Sequence, residues 1–423
     1  MRARVVLLQL YRLGILLAVV WLVRVHHARL RAEGERPVRV GEAVGWFTNA
    51  AELELDTGAR GGFHVRDANG VELGYLIRTL PQADHILGYC GITDTLVALD
   101  REGRVLGFKI RHSEDTRTHV GDVMADRHFK KTWNGLTWDQ VAGMDLQKAG
   151  VEGVSGATMT SMAVAEGIVQ RFRSARGEMR PQSMRLGGRD IGLAGVVALG
   201  AWLTFTKRDG RERWRRWFQW GVIGYVGFLN GDLLAQSLLA GWAKSGVAWR
   251  LAPGLVLLAA VAFAVPWAGR RPLYCQQLCP HGAAQEIVTR MAPVRWRVAV
   301  PAPVDRALRW LPAAFLLFVL LVVMLPLDFD LAGVEPFDAY LIRSAGAATI
   351  VLALAGLLGS IFVPKAYCKY GCPTGALLEF VRARGVGDKF GRRDLTAALL
   401  LLLAFLLHWQ HPAIHAWIFG AAS

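Results

Sequence analysis

The chain has 423 residues, 53% of them hydrophobic and 20% charged, with 15 Trp, a mean hydropathy of +0.29 and a formal net charge of +15. That apolar fraction excludes disorder and is too high for a purely soluble protein, and five cysteines are too few for a disulfide scaffold. The basic residues fall mainly between apolar runs, where a membrane protein needs them, so the expected partner is membrane lipid and not nucleic acid.

Seven nearly uncharged runs read as membrane spans: 5–23, 191–206, 217–243, 251–269, 311–327, 345–364 and 395–409. A helix of roughly 20 residues crosses the ~30 Å of hydrocarbon. The first run is followed by Arg24-Val25-His26-His27-Ala28 and no small-x-small cleavage site, so it reads as an uncleaved anchor. Lys207, Arg208, Arg211, Arg213, Arg215 and Arg216 share one loop, and Arg270, Arg271, Arg290, Arg295, Arg297, Arg306 and Arg309 another; the loop 365–393 is equally basic. The segment with Asp328, Asp330, Glu335 and Asp338 is acidic and ends on the single Arg343. Placing the basic loops in the cytoplasm puts the N-terminus inside and residues 25–188 and the C-terminus outside. The expected parts are an anchor (1–24), an extracytoplasmic domain (25–188) and a six-helix membrane domain (189–423), in a multi-pass protein of the cell inner membrane.

Within the outer part, strand-like runs over 73–79, 91–99 and 105–111 are separated by turn signals at 67–70 and 100–103, the second reading as a hairpin, and 161–173 has helical spacing. This predicts an α+β domain with a twisted antiparallel sheet and a packed helix. Between sheet and helix runs Gly153-Val-Ser-Gly-Ala-Thr-Met-Thr-Ser161. Small residues let the backbone approach a ligand, and the N–H groups that open the next helix favour a phosphate; a Ser/Thr-rich helix cap without a ligand would look the same.

Ser155-Gly156-Ala157-Thr158 resembles the S-G-A-T flavinylation motif of FMN-binding domains in sodium-pumping quinone reductases and Rnf complexes. The resemblance implies a flavin transferase as maturation partner and a phosphoester from FMN to Thr158. Glu152 stands where the family has Asp, keeping the charge on a longer side chain. Gly88-Tyr-Cys-Gly-Ile-Thr-Asp-Thr-Leu-Val-Ala-Leu-Asp100 and Arg111-His-Ser-Glu-Asp-Thr116 resemble the NosR/NirI version of that domain, with Thr93 and His112 as candidate flavin-lining residues.

The strongest signal is an internal repeat. Tyr274-Cys-Gln-Gln-Leu-Cys-Pro-His-Gly-Ala-Ala-Gln-Glu286 and Tyr367-Cys-Lys-Tyr-Gly-Cys-Pro-Thr-Gly-Ala-Leu-Leu-Glu379 agree at Tyr, both Cys, Pro, Gly, the following Ala and Glu. Each copy follows a span read as running inward, so an axis along the membrane normal can bring both loops to the cytoplasmic face. Cys275, Cys279, Cys368 and Cys372 then form a Cys₄ set, for which three readings stand: an iron–sulfur cluster of the 4Fe–4S kind, zinc, or two pairs in a thiol–disulfide relay. Pro280 and Pro373 suit the first turn of a helix whose N–H groups would stabilise a negative centre. Each loop resembles the closing half of a bacterial ferredoxin motif without its preceding Cys-x₂-Cys-x₂ run, so the four cysteines must pool. Cys90 reads as a small buried hydrophobe.

With both motifs the chain resembles the NosR/NirI group of membrane flavoproteins, in a short form expected to lack the C-terminal ferredoxin domain that members linked to nitrous oxide respiration carry. The expected fold is a multi-pass α-helical membrane protein of about seven spans with an extracytoplasmic α+β FMN-binding domain. The expected function is transmembrane electron transfer between a cytoplasmic donor or quinone and an extracytoplasmic redox acceptor, by a component and not a stand-alone enzyme; a membrane redox sensor is the rival class. Asp232, beside Asn230 and Gln236, reads either as an acid for proton or quinone chemistry or as a helix-packing contact. His26, His27, His408, His411 and His415 gather near the outer face, as haem ligands or as interfacial residues.

Overall fold

A computed structural model describes residues 2–33, 37–178, 184, 186–205, 211–325, 327, 329–341, 345–385 and 387–419. Lys207, Arg208, Asp328 and Arg343 fall outside these, as do the side chains of Arg211 and His415. The chain forms two compact units: residues 31–185 with 245–251, and residues 1–30, 186–244 and 252–423.

The first unit is built on a five-stranded antiparallel meander, β1 (Glu52–Leu55), β2 (Phe63–Arg66), β3 (Glu72–Arg78), β4 (Thr93–Leu99) and β5 (Val105–Ser113), in the order β1-β2-β3-β4-β5. The turn chemistry read from sequence is present. Asp67 accepts the N–H groups of Asn69 and Val71 at 2.8 Å each, and Asp100 accepts that of Arg104 at 2.7 Å, with Gly70 and Gly103 left-handed at φ 80° and 76°. All seven residues of β4 are buried because both faces of the sheet are covered. Ile77, Val97 and Leu99 face one core with Phe108, Trp133, Ile168 and Phe172; Leu76, Leu96 and Ala98 face the other with Ala43, Phe47 and Val65. Adjacent residues therefore alternate between two cores, as the two-residue period of a strand requires. The first core is closed by helix α1 (Thr158–Ser174), which begins at the Ser155–Thr158 turn.

Three helices in the second unit are long and apolar enough to cross a membrane, Ala3–Arg31, Ala302–Met324 and Arg392–His411, with shorter apolar helices at Pro253–Gly269 and Ala347–Phe362. Seven uninterrupted spans are not what the structure shows. The expected span 217–243 is broken: Arg211–Val222 passes into a π-helical stretch, Ile223–Asn230, which ends on left-handed Gly231 at φ 75°. The chain is irregular to 235, and helix α2 (Gln236–Ser245) starts afresh. Hydropathy does not register this break because its freed backbone groups are met by side chains: the Leu234 N–H donates to the Tyr274 hydroxyl and the Leu234 carbonyl accepts from Thr374, both at 3.1 Å. Asn230 donates to Asp232 at 2.7 Å, so Asp232 braces the break.

Arg12, fully buried on the first helix, ties that helix to the segment before the last one through Asp388 (2.7 and 3.0 Å) and to the first turn of the last helix through Asp394 (2.7 Å). His26 and His27 bond the carbonyls of Met324 and Val323 at 2.8 Å each. His26 also meets His408 at 3.2 Å and packs its ring on His411 at 4.8 Å. Two of these imidazoles thus serve as a C-terminal cap for the helix ending at Met324.

Candidate functional site

The turn before α1 is compact. A Cβ on Gly153 would lie 2.4 Å from Thr158 Cγ2, and Gly156 is left-handed at φ 88°, so two of its glycines are required by space and by backbone. Ser161 holds the turn from within the helix: its hydroxyl accepts the Val154 N–H at 2.9 Å. Thr158 is the first helical residue, half-buried, with its hydroxyl donating to the Val154 carbonyl at 3.2 Å. Ser155 and Glu152 are exposed, Gly156 is half-buried and Ala157 buried at the N-cap. Thr93 is buried and bonds Ser113 at 2.7 Å, and His112 is exposed on β5 opposite Asp94. Among the described residues no hydrogen bond links either one to the turn.

What sequence reading passed over lies at the first turn of α1. Asp115, 7% exposed, accepts the N–H groups of Cys90 at 2.6 Å and Gly91 at 3.1 Å, and a Cβ on Gly88 would come within 2.2 Å of its second oxygen. The fully buried Thr160 hydroxyl is the neighbour of this carboxyl, and neither Oδ2 nor that hydroxyl has a further hydrogen-bond partner among the described residues. Burial pushes the Asp115 carboxyl up, toward the neutral form that can donate. A buried acid and hydroxyl beside a helix N-terminus fit a polar ligand such as a flavin phosphate and its ribityl chain. The sequence hints were Gly88-Tyr-Cys-Gly91, whose glycines make room for Asp115, and the segment Arg111–Thr116, which holds Asp115 but gave it no role. Cys90 itself is buried and unbridged.

The two cysteine loops fold alike. Helix α3 (Pro280–Met291) is capped by Cys279, whose sulfur accepts the Gly282 N–H at 3.4 Å; helix α4 (Pro373–Val381) is capped by Cys372, whose sulfur accepts the Gly375 N–H at 3.1 Å. Both prolines occupy the first helical turn, where a missing N–H costs nothing. Cys275 and Cys368 lie in the short helical turns just before, Tyr274–Leu278 and Ala366–Tyr370. All four are unbridged thiols that feel one another's charge. Burial, then the neighbouring Cys368, pushes the Cys275 thiol up to about 12, and burial moves the other three the same way. Ionising one of these thiols therefore needs a cationic group to compensate it, as metal binding does.

The surroundings fit such a group. Gln285 donates to Cys368 Sγ at 3.2 Å. The Tyr367 hydroxyl and His281 Nε2 are buried without a hydrogen-bond partner among the described residues, with ring centroids 5.2 Å apart, and Tyr367 is an electrostatic neighbour of Cys372, Cys368 and Cys279. A sulfide-bearing cluster offers acceptors to such donors. Among the described residues no three His, Cys, Asp or Glu close on a single metal ion, whereas zinc holds four thiolates at about 2.3 Å each. The repeated glutamates lie outside the thiols: Glu286 pairs with Arg215 (2.7 Å) and Lys365 (2.9 Å), and Glu379 with Arg384 (2.6 Å) and Arg382 (3.1 Å).

Residues 88–171 match the family model of the FMN-binding domain, and residues 251–299 and 345–396 that of a 4Fe-4S binding domain. The chain is 34% identical over 180 residues to Protein NirI of Paracoccus denitrificans, covering 39% of this chain and 26% of that protein. It is 33% identical over 131 residues to Regulatory protein NosR of Pseudomonas aeruginosa (29% and 18%), and 27% identical over 138 residues to Putative electron transport protein YccM of Escherichia coli (30% and 38%). The matched stretches thus span well under half the length of these relatives. No solved structure matches the chain. These matches support FMN and an iron–sulfur cluster as its cofactors.

Proposed function

We propose, for a chain that is a flavoprotein of the NosR/NirI type, that it carries electrons across the inner membrane between one iron–sulfur cluster held jointly by Cys275, Cys279, Cys368 and Cys372 and an FMN joined through its phosphate to Thr158. The cluster binds on the cytoplasmic side and the flavin outside. The observation that carries this reading is the pair of matched loops, each with one buried helix-capping cysteine and one half-buried cysteine, whose thiols are electrostatic neighbours across the loops. When bound, the cluster supplies one-electron transfer and the flavin one- or two-electron transfer.

The chain's own residues supply position and environment. The N–H groups of Gly282 and Gly375 stabilise the capping thiolates. The Thr158 hydroxyl, which donates to the Val154 carbonyl, is presented at a helix N-terminus, where the phosphate charge is favoured, and a flavin transferase completes the attachment. Asp115 and Thr160 hold the polar side of the cofactor. A cytoplasmic donor or a quinone feeds the inner centre, and an extracytoplasmic redox protein drains the outer one.

The test is vectorial electron flow in sealed vesicles with one orientation. An impermeant reductant on the cysteine side should bleach the flavin on the other side. Bleaching only after the vesicles are permeabilised would reject the electron-transfer reading in favour of a redox sensor.

A further inference from the structure

The two cysteine loops are matched in sequence, yet one side chain serves them unequally. Gln285, fully buried on α3 of the first loop, reaches into the second. Its Oε1 accepts the Tyr367 N–H at 3.0 Å and lies 3.0 Å from the Ser360 hydroxyl, while its Nε2 donates to Cys368 Sγ at 3.2 Å. A backbone N–H can only donate, so Tyr367 fixes which end of the carboxamide carries oxygen and leaves the N–H₂ end facing the sulfur. Among the described residues this is the single side-chain N–H that reaches any of the four sulfurs. At the equivalent position of the second copy stands Leu378, which has no polar group to return the contact.

We propose that Gln285 is a positioning residue for the shared centre: its carbonyl pins the backbone of the second loop at Tyr367, and its N–H₂ orients the Cys368 sulfur and makes that corner of the centre the most electron-attracting. The second half rests on the cluster reading above; the first does not. A thiolate that accepts an N–H carries less charge, which favours the reduced cluster, and hydrogen bonds to sulfur are among the levers that set such potentials. A charge-assisted hydrogen bond of ordinary strength, partly offset because both redox states keep it, is worth about tenfold in the redox equilibrium, about 59 mV for one electron.

Two variants separate the halves. Gln285→Leu, which copies the other loop, removes both contacts without adding charge, whereas Gln285→Glu keeps the acceptor for Tyr367 and loses the donor. In the metal-free protein, hydrogen exchange at residues 366–370 should quicken about tenfold in Gln285→Leu and stay near wild type in Gln285→Glu. In the anaerobically loaded protein both should keep iron and acid-labile sulfide, show a changed EPR line shape and have a lower midpoint potential. Unchanged exchange in Gln285→Leu overturns the pinning role. A potential lowered in Gln285→Glu but unchanged in Gln285→Leu would reduce the effect to added charge and overturn the role of the N–H₂ group. Wild-type protein without iron or sulfide would defeat the cluster reading and the second half with it, while exchange would still decide the first.

Discussion

Glu335 should make stability fall as pH rises, and Glu335→Gln should remove most of that dependence. The side chain is 1% exposed, accepts the Gln236 N–H at the start of α2, and lies 3.1 Å from the Thr374 hydroxyl, just after Cys372-Pro373. The Thr374 hydroxyl has one proton for two acceptors, the Leu234 carbonyl and Glu335 Oε1, both at 3.1 Å, and a neutral Glu335 supplies the second proton. Burial accordingly pushes its carboxyl from 4.5 up to about 8. A folded-state value raised above the unfolded one gives stability that is complete below pH 4.5 and is lost as pH climbs to about 8. At about 1.4 kcal/mol for each pH unit that interval is roughly 5 kcal/mol, an upper figure for a site that relaxes. The Gln variant keeps one donor for Thr374 and one acceptor for Gln236. In detergent-solubilised protein scanned from pH 5 to 9, wild type should lose melting temperature steadily and Glu335→Gln should stay nearly flat. Parallel curves for the two proteins would refute a neutral Glu335.

Co-expression with a flavin transferase should give a fluorescent band that survives a denaturing gel, and Thr158→Val should abolish it at unchanged expression. Any single Cys→Ser change among Cys275, Cys279, Cys368 and Cys372 should cost the whole iron–sulfur absorption and its labile sulfide, whereas two independent centres would each lose about half. Arg12→Met leaves Asp388 and Asp394 buried with less compensation and should cost about 3–5 kcal/mol, with Asp394→Asn recovering part of it, as judged by thermal unfolding.

The sheet was legible because its signals are local. Alternation sets which face each strand residue takes, and Asp67–Gly70 and Asp100–Gly103 carry their own turn chemistry. The helix starts at Pro280 and Pro373 were legible for the same reason: a proline after a capping residue states its position without help from distant parts. The break at 231–235 was not legible, since its stability comes from Tyr274 and Thr374, 40 and 140 residues away in the chain. Asp115 was missed likewise, because a carboxylate that bonds two backbone N–H groups looks in sequence like any exposed acid beside Glu114. Gln285 lay inside the repeat, but the repeat draws the eye to what the copies share, and Gln285 matters where they differ.

The segment between the helices Ala302–Met324 and Ala347–Phe362 packs against both cysteine loops. Sequence reads residues 328–344 as an outer loop and the cysteines as cytoplasmic, which would part them by a full ~30 Å of hydrocarbon. Yet the residue after each Cys-Pro touches this segment: His281 meets the Tyr340 hydroxyl at 3.1 Å, and Thr374 meets Glu335 at 3.1 Å. The segment therefore lies against the cysteine loops, and is not a loop that stands apart from them. Tyr340, His281, Glu335 and Thr374 form the contact by which this segment packs on the cysteine loops, and substitutions in it bear on the centre through contacts other than that of Gln285 with Cys368.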